Sequence, residues 1–203
     1  MNSFSATKPW KVTIQGFILL LILGAIGCFS SKPSLKTLSE TDPQYVVSHK
    51  DSILLRSDKD PEIIPMVIAA HINLSNKALE KKDYETAEAY LIKALEIDKT
   101  NINVKYAYAM AKGHRLFKKG NKSQLWDAIE QFSKASYYRP DDGLSVYWSA
   151  KGYSKKDDSD YQNIIELYQK SIELGLPEEL EADAKASLDK AEKEKEVLES
   201  FWK

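Results

Sequence analysis

The sequence predicts an all-α fold made of repeated helix pairs, and three observations lead to this prediction. Apolar residues recur at the helical i, i+3, i+4 and i+7 spacing over long stretches that follow residue 60. A pattern of alanine, three residues, a bulky residue, two residues and alanine starts at Ala87 and starts again at Ala128. The chain of 203 residues is 43% hydrophobic and 29% charged, which is typical of one modest globular domain or two small ones.

Charge and composition also exclude several classes of function. A formal net charge of -1 does not fit a broadly basic nucleic-acid-binding protein, so no nucleic acid partner is expected. The single cysteine excludes an intramolecular disulfide framework. The three dispersed histidines, His49, His71 and His114, do not have the spacing of a zinc site. We therefore expect no metal site and no cofactor.

Residues 1–27 are predicted to be an export signal. Lys8 and Lys11 precede an apolar run over residues 12–26, which is the layout of the basic and hydrophobic parts of a signal peptide. This run of about 15 residues is shorter than the roughly 20 that span a bilayer. A cleaved signal is therefore favoured over an uncleaved signal anchor, which stays the alternative.

The residues that end this segment read Ala25, Ile26, Gly27 and Cys28, and they resemble the bacterial lipoprotein box. The resemblance implies that Cys28 becomes the mature N-terminus and carries palmitate-type acyl chains, which would anchor the protein stably in a membrane. It implies a lipid-anchored protein of the bacterial cell envelope whose domain faces the periplasm or the exterior. Phe29, rather than an aspartate, follows the cysteine, which slightly favours the outer membrane.

Residues 28–59 are predicted to be a flexible tether, because the segment is rich in Ser, Thr, Lys, Asp and Pro. Two short apolar clusters, at residues 45–47 and 53–55, interrupt it. Some 30 flexible residues reach about 30 Å, enough to hold a domain clear of the lipid head groups. Asp60 followed by Pro61 is typical of a helix N-cap and first helical residue, so the folded domain is predicted to begin at residue 60.

Internal repeats predict three helix pairs within residues 60–177. The pattern of their second helices starts at residues 87, 128 and 164, which lie 41 and 36 residues apart, and the third copy has Ile164 and Ser171 in place of the two alanines. This arrangement resembles the tetratricopeptide repeat, whose period is about 34 residues. The resemblance implies a right-handed α-solenoid of about three helix pairs. The matching residues of the three copies are Ala87, Leu91 and Ala94, then Ala128, Phe132 and Ala135, then Ile164, Tyr168 and Ser171.

Residues 178–203 are predicted to form a C-terminal capping helix. A repeat array needs a last element with a polar outer face to cover the apolar flank of its final repeat. Charged pairs at i, i+4 spacing, such as Glu181 with Lys185, suit the exposed side of that helix. Its apolar stripe consists of Leu180, Ala184, Leu188, Ala191 and Leu198.

The resemblance also implies a concave groove, lined by the first helix of each pair, that receives a peptide or a protein segment. The groove residues carried over to this chain are Ile72, Asn76, Met110, His114, Phe117, Ser149 and Tyr153. This lining is mixed, aromatic and nearly uncharged. The identity of the protein partner does not follow from it.

Taken together, these features predict a membrane-tethered scaffold for protein–protein interaction and not an enzyme. The sequence contains no phosphate-binding glycine loop and no serine in a nucleophile elbow. One alternative is a signal-anchored structural protein that self-assembles, for which exposed Phe201 and Trp202 would be suited. A less favoured alternative is a small-ligand carrier or a regulatory subunit of an envelope enzyme, with Phe117 and Tyr153 stacking on the ligand.

Overall fold

The computed structural model describes residues 33–156 and 159–202. All regular secondary structure in these residues is helical, which confirms the predicted all-α class. From Ser34 onward the chain forms one compact unit. The predicted signal, residues 1–27, and the predicted lipidation site Cys28 lie outside the described residues. In the part of the chain that is described, none of the helices combines the length and apolar character that a membrane span requires.

Ten helices follow one another in the described residues, three short ones and then seven long ones. They are α1 Leu35–Thr41, α2 Pro43–Ser48, α3 Lys50–Leu54, α4 Ile63–Glu80, α5 Tyr84–Ile97, α6 Ile102–Lys119, α7 Lys122–Tyr138, α8 Gly143–Lys156, α9 Tyr161–Leu174 and α10 Glu178–Ser200.

The long helices pack in sequence as antiparallel pairs. α4 pairs with α5, α6 with α7 and α8 with α9, while α5 also packs on α6, α7 on α8, and α10 on α9. The apolar stripes of the second helices are buried at these contacts, and small alanines in them let neighbouring helices approach closely. The nine residues that define the three sequence copies, from Ala87 to Ser171, are all buried.

Asparagine and aspartate side chains begin the helices α5 to α8. Asp83 accepts a hydrogen bond from the backbone N–H of Thr86 at 3.1 Å, and Asn121 accepts one from Gln124 at 2.9 Å. The same bond is made at the starts of α6 and α8. Each satisfies a backbone donor that a helix start leaves without an intrahelical partner. Gly120 ends α6 with a φ of 72°, a left-handed conformation that favours glycine.

A tyrosine–aspartate hydrogen bond occurs at two places in the described residues, from α6 to the start of α8 and from α8 to α10. Tyr106 of α6 donates from its hydroxyl to Asp142 Oδ2, at the start of α8, at 2.9 Å. Forty-one residues later, Tyr147 of α8 donates to Asp183 Oδ2 of α10 at 2.7 Å. Burial and the neighbouring carboxylate raise the pKa of both hydroxyls. The shift of 41 residues matches the spacing of the first two sequence copies, and the same kind of bond joins α6 to the start of α8 and α8 to the second turn of α10.

The structure differs from the flexible tether predicted over residues 28–59. From Ser34 this segment forms α1, α2 and α3, and all three contact α4. Val46 is fully buried and Ile53 is 5% exposed, in a cluster that includes Val67 of α4. These residues belong to the two apolar clusters noted in the sequence. They are buried because α4 has a second apolar face that α5 leaves uncovered.

The predicted start of the folded domain at Asp60 and Pro61 is also wrong. The helix α4 begins after them, and Glu62 in its N-cap position makes no side-chain capping bond. Asp60 instead accepts a hydrogen bond from the backbone N–H of Glu62 within a turn. An N-cap aspartate followed by proline is found earlier, at Asp42 and Pro43, where it begins α2.

Candidate functional site

An aromatic cluster joins the three helix pairs, and Trp148 of α8 lies at its centre. The ring centroid of Trp148 is 4.5 Å from that of His114, 5.5 Å from Phe117 and 5.3 Å from Tyr147, all in edge-to-face geometry. Such pairs are worth about 0.5–1.5 kcal/mol beyond the area that they bury. The cluster consists of Tyr84 on α5, His114 and Phe117 on α6, Phe132 on α7, and Tyr147 and Trp148 on α8.

His114 is a structural member of this cluster. Its ring stacks on Tyr84 at 5.6 Å and meets the edge of Phe132 at 5.3 Å. Removal of water by these surroundings lowers the pKa of His114 to about 4, so the ring is neutral at pH 7. The adjacent Gly113 allows this packing, because a Cβ there would lie 2.5 Å from a ring carbon of Phe132.

The predicted groove residues differ in exposure. Met110 and Ser149 are buried, at 5% and 4% exposed. Ile72, His114, Phe117 and Tyr153 are half-buried, and Asn76 is exposed. The structure brings His114 and Phe117 together against Trp148, while Ile72 packs on the core of the first pair. Side chains of the protein itself therefore fill the middle of the predicted lining.

Tyr153 is held on α8 by a separate contact. Its ring meets Trp126 of α7 edge to face at 5.8 Å. The Lys156 ammonium lies 3.3 Å from the centroid of Trp126 and 5.0 Å from that of Tyr153, so a cation–π contact accompanies the pair. Lys156 is only 8% exposed. Tyr153 is thus fixed in place with part of its surface accessible.

An open pocket of about 340 Å³, which we call the basic pocket, lies between α8, the beginning of α9 and α10. Its volume is within the usual range for small-ligand sites. Phe117 of α6 contributes from one side, so three alternate helices, α6, α8 and α10, supply walls. The lining residues are Phe117, Lys151, Ser154, Lys155, Ser159, Tyr161, Ile164, Tyr168, Ser187, Lys190, Ala191 and Glu194.

Three lysines bring positive charge to the basic pocket. The Lys151 ammonium donates to Asp183 Oδ2 at 3.0 Å. Lys155 donates to the backbone carbonyl oxygen of Phe117 at 3.0 Å and lies 4.4 Å from the centroid of that ring. The third, Lys190, has its ammonium 3.7 Å from a carboxylate oxygen of Glu194, and its side chain is 75% exposed. Lys155 is thus fixed by neutral groups, whereas the contact of Lys190 with Glu194 is long and exposed.

A second notable feature is buried in the first pair. His71 and Ser75, one turn apart on α4, are each 1% exposed. The two ring nitrogens of His71 and the Ser75 hydroxyl have no hydrogen-bond partner among the described residues. Burial lowers the pKa of His71, with a further contribution from the charge of Lys50, so the neutral ring is favoured.

The sequence analysis did not predict the basic pocket, nor the position of Trp148 at the centre of the aromatic cluster. Lys151 and Lys155 are four residues apart on a predicted first helix, so their common face could have been recognised. The proximity of Lys190 could not be predicted, because Lys190 lies on α10, 35 residues after Lys155 in the chain. Within the described ranges, no group of three or more His, Cys, Asp or Glu side chains could hold a metal ion.

Comparisons with known proteins leave the family open. No model of a known protein family matches the chain, and no curated protein sequence matches it either.

Proposed function

We propose that this protein is a membrane-tethered interaction scaffold of the bacterial cell envelope, built as a tetratricopeptide-like right-handed solenoid. In this proposal α4, α6 and α8 are the first helices of three repeats, and α10 caps the array. A protein or peptide segment binds along the face where these helices lie side by side. Its role is binding and not catalysis, and it requires no cofactor.

The recurring tyrosine–aspartate bond carries this proposal. It connects α6 to α8 and α8 to α10 with the same 41-residue displacement of donor and acceptor. Helices related in this way form one extended surface, and stacked repeats use such surfaces to bind segments that touch several repeats at once. Asn76 on α4 and Tyr153 on α8 keep accessible area on these helices.

A photo-crosslinking experiment tests the location of the partner. A photoreactive residue is placed at Asn76 or at Tyr153 of the full-length chain in intact cells. The control position is Lys134 of α7, which is the second helix of its pair and lies outside the proposed binding face. Crosslinks to one protein from the first two positions and not from Lys134 would support the proposal. Equal labelling from all three, or none, would contradict it. Alanine substitution of His114 is less informative, because that ring also holds the fold together.

The proposed membrane anchor is tested separately. The variant Cys28→Ser removes the only thiol of the chain. If Cys28 carries acyl chains, metabolic labelling with a fatty acid should mark the native protein and not the variant. Equal labelling of both would reject lipidation at Cys28 and favour the uncleaved signal anchor or plain secretion.

Self-association is a second candidate function, favoured by one observation. The end of α10 and the residues after it expose apolar surface, with Phe201 79% and Trp202 84% exposed, next to Val197 at 56%. Exposed apolar patches are common at interaction surfaces. Sedimentation of the native chain and of a Phe201→Ser, Trp202→Ser double variant distinguishes this candidate. It requires a concentration-dependent oligomer that the variant loses, and a native monomer would reject it.

A further inference from the structure

We propose that the basic pocket binds a phosphate ester of a small polyol or sugar. This inference goes beyond the proposed segment binding and does not depend on it, because it concerns one end of the helix array and a small ligand. The argument rests on the charge, the hydroxyl groups and the apolar wall of the basic pocket.

The charge of the basic pocket favours an anion. Lys151, Lys155 and Lys190 place three ammonium groups at one cavity, whose described lining residues include one carboxylate, that of Glu194. Asp183, outside the lining, pairs with Lys151 and leaves Lys155 and Lys190 as the ammonium groups for a ligand. The ammonium of Lys155 is already positioned by neutral acceptors, and the exposed side chain of Lys190 can exchange its long contact with Glu194 for a ligand oxygen. Charge-assisted hydrogen bonds of this kind are about twice as strong as neutral ones.

The donor set favours phosphate over carboxylate. The cationic residues that line the pocket are all lysines, whose compact ammonium acts as a point charge that suits a tetrahedral phosphate. Carboxylates are instead matched best by the planar fork of arginine. Hydroxyl groups also line the pocket; two of them, those of Ser154 and Tyr168, lie 3.3 Å apart, and a third, that of Ser187, bonds to Asp183. The hydroxyl groups belong to Ser154, Ser159, Ser187, Tyr161 and Tyr168.

The rest of the cavity favours a polyol or sugar body. The volume of about 340 Å³ exceeds what a phosphate group alone would fill. Phe117, Ile164 and Ala191 form an apolar wall, against which the C–H face of a sugar can pack. Serine hydroxyls and the Glu194 carboxylate can exchange hydrogen bonds with ligand hydroxyls. A ligand with a phosphate group and a hydroxylated body would contact the lysines, the hydroxyl groups and the apolar wall of the pocket.

Calorimetric titration of the full-length chain in detergent tests the inference. The probes are glucose 6-phosphate, glucose, inorganic phosphate and glucuronate. We expect saturable binding of glucose 6-phosphate, at least tenfold tighter than that of the other three, which weakens as salt is added. Absence of saturable binding, equal binding of glucose, or tighter binding of glucuronate would each overturn the proposal.

Two matched variants on α10 locate the site. Lys190→Gln removes an exposed lysine of the basic pocket that lies near Glu194. Lys185→Gln removes a lysine that is 60% exposed and pairs with Glu181 at the same i, i+4 spacing, outside the pocket. We expect about tenfold weaker binding for Lys190→Gln and no change for Lys185→Gln, with equal thermal stability. An equal loss in both variants would show non-specific attraction and overturn the assignment.

A competition experiment distinguishes a free phosphate ester from one carried by a lipid headgroup. Mixed micelles of the same detergent with phosphatidylcholine and phosphatidic acid present the phosphate on a lipid, and mixed micelles with phosphatidylcholine alone are the control. Displacement of glucose 6-phosphate by the first and not by the second assigns the pocket to a lipid headgroup. Displacement by neither assigns it to a free phosphate ester.

Discussion

The first and the third helix pairs bury polar side chains in opposite ways. In the first pair, His71 and Ser75 are 1% exposed and their side-chain polar atoms have no partner among the described residues. In the third pair, the Ser149 hydroxyl donates to the backbone carbonyl of Ser145 at 3.0 Å. The Tyr147 hydroxyl donates to Asp183.

The difference shows how each region obtains its stability. In the first pair, α4 is covered on both sides, by α1 to α3 and by α5, so it gains from apolar burial and bears the penalty of unpaired polar atoms. The third pair leaves the basic pocket open, and the buried side-chain polar atoms of its described residues all have partners. A closed region with unpaired groups is sensitive to protonation, whereas an open region with paired groups can bind a ligand without losing its fold.

The largest expected effect concerns Trp148, which couples the third pair to the other two. Trp148→Ala should lower the free energy of unfolding by about 3–5 kcal/mol, because the aromatic cluster loses its central ring. Chemical denaturation followed by circular dichroism measures this, and Trp148→Phe, which keeps a ring, should lose less than half as much. A loss below about 1 kcal/mol in the alanine variant would show that the pairs are coupled elsewhere.

Acid should destabilise the protein through its two packed histidines. The folded chain binds a proton at His114 only near pH 4, whereas the unfolded chain binds it near pH 6.5. This contribution to stability is present above pH 6.5 and is lost as the pH falls toward 4, by about 3 kcal/mol. His71 acts in the same direction, because its pKa is also lowered.

Denaturation at pH 7 and pH 4.5 separates the two sites. His114→Phe keeps an aromatic ring in the cluster and removes its titration, so the loss of stability on acidification should shrink and leave the part due to His71. An unchanged loss in this variant would exclude His114 as a cause. A His71→Leu, His114→Phe double variant should show the smallest loss of the set.

Substitutions that remove polar atoms should have opposite signs in the two regions. At pH 7, His71→Leu should raise the free energy of unfolding by about 1–2 kcal/mol, because two buried nitrogens without partners are replaced by apolar atoms. Tyr147→Phe should lower it by about 1 kcal/mol, because the bond to Asp183 is lost. Thermal and urea denaturation measure both values, and effects of the same sign would remove the contrast between the regions.

The smallest effects concern two ion pairs that connect neighbouring elements. Arg115 of α6 pairs with Glu88 of α5 at 2.6 Å, with side chains 21% and 13% exposed. Lys151 and Asp183 are 30% and 45% exposed. We expect Arg115→Gln to lose about 1 kcal/mol and Lys151→Gln less than about 0.5 kcal/mol. A larger loss from Lys151→Gln would mean that the third pair depends on its surface charges.

Much of the helix pairing could be predicted from the sequence, and the reason is visible at particular residues. Ala87 and Ala128 mark second helices because their apolar stripes follow the helical period. The predicted tether is the main error, because the Ser and Thr content of the segment predicts an unpacked chain, whereas Val46 and Ile53 pack in a cluster with α4. Of the candidate site, Phe117 was predicted, but the convergence of lysines around it was not.

The positions of the long helices and their repetition follow from the sequence, because helix periodicity and aspartate or asparagine caps act over a few neighbouring residues. Packing between distant helices sets which apolar residues are covered and which polar groups meet. Val46 is buried because α4 offers a free apolar face, and Lys190 joins Lys155 because α10 takes the next place in the stack. These outcomes depend on surfaces brought together across long stretches of chain, and local patterns do not record such surfaces.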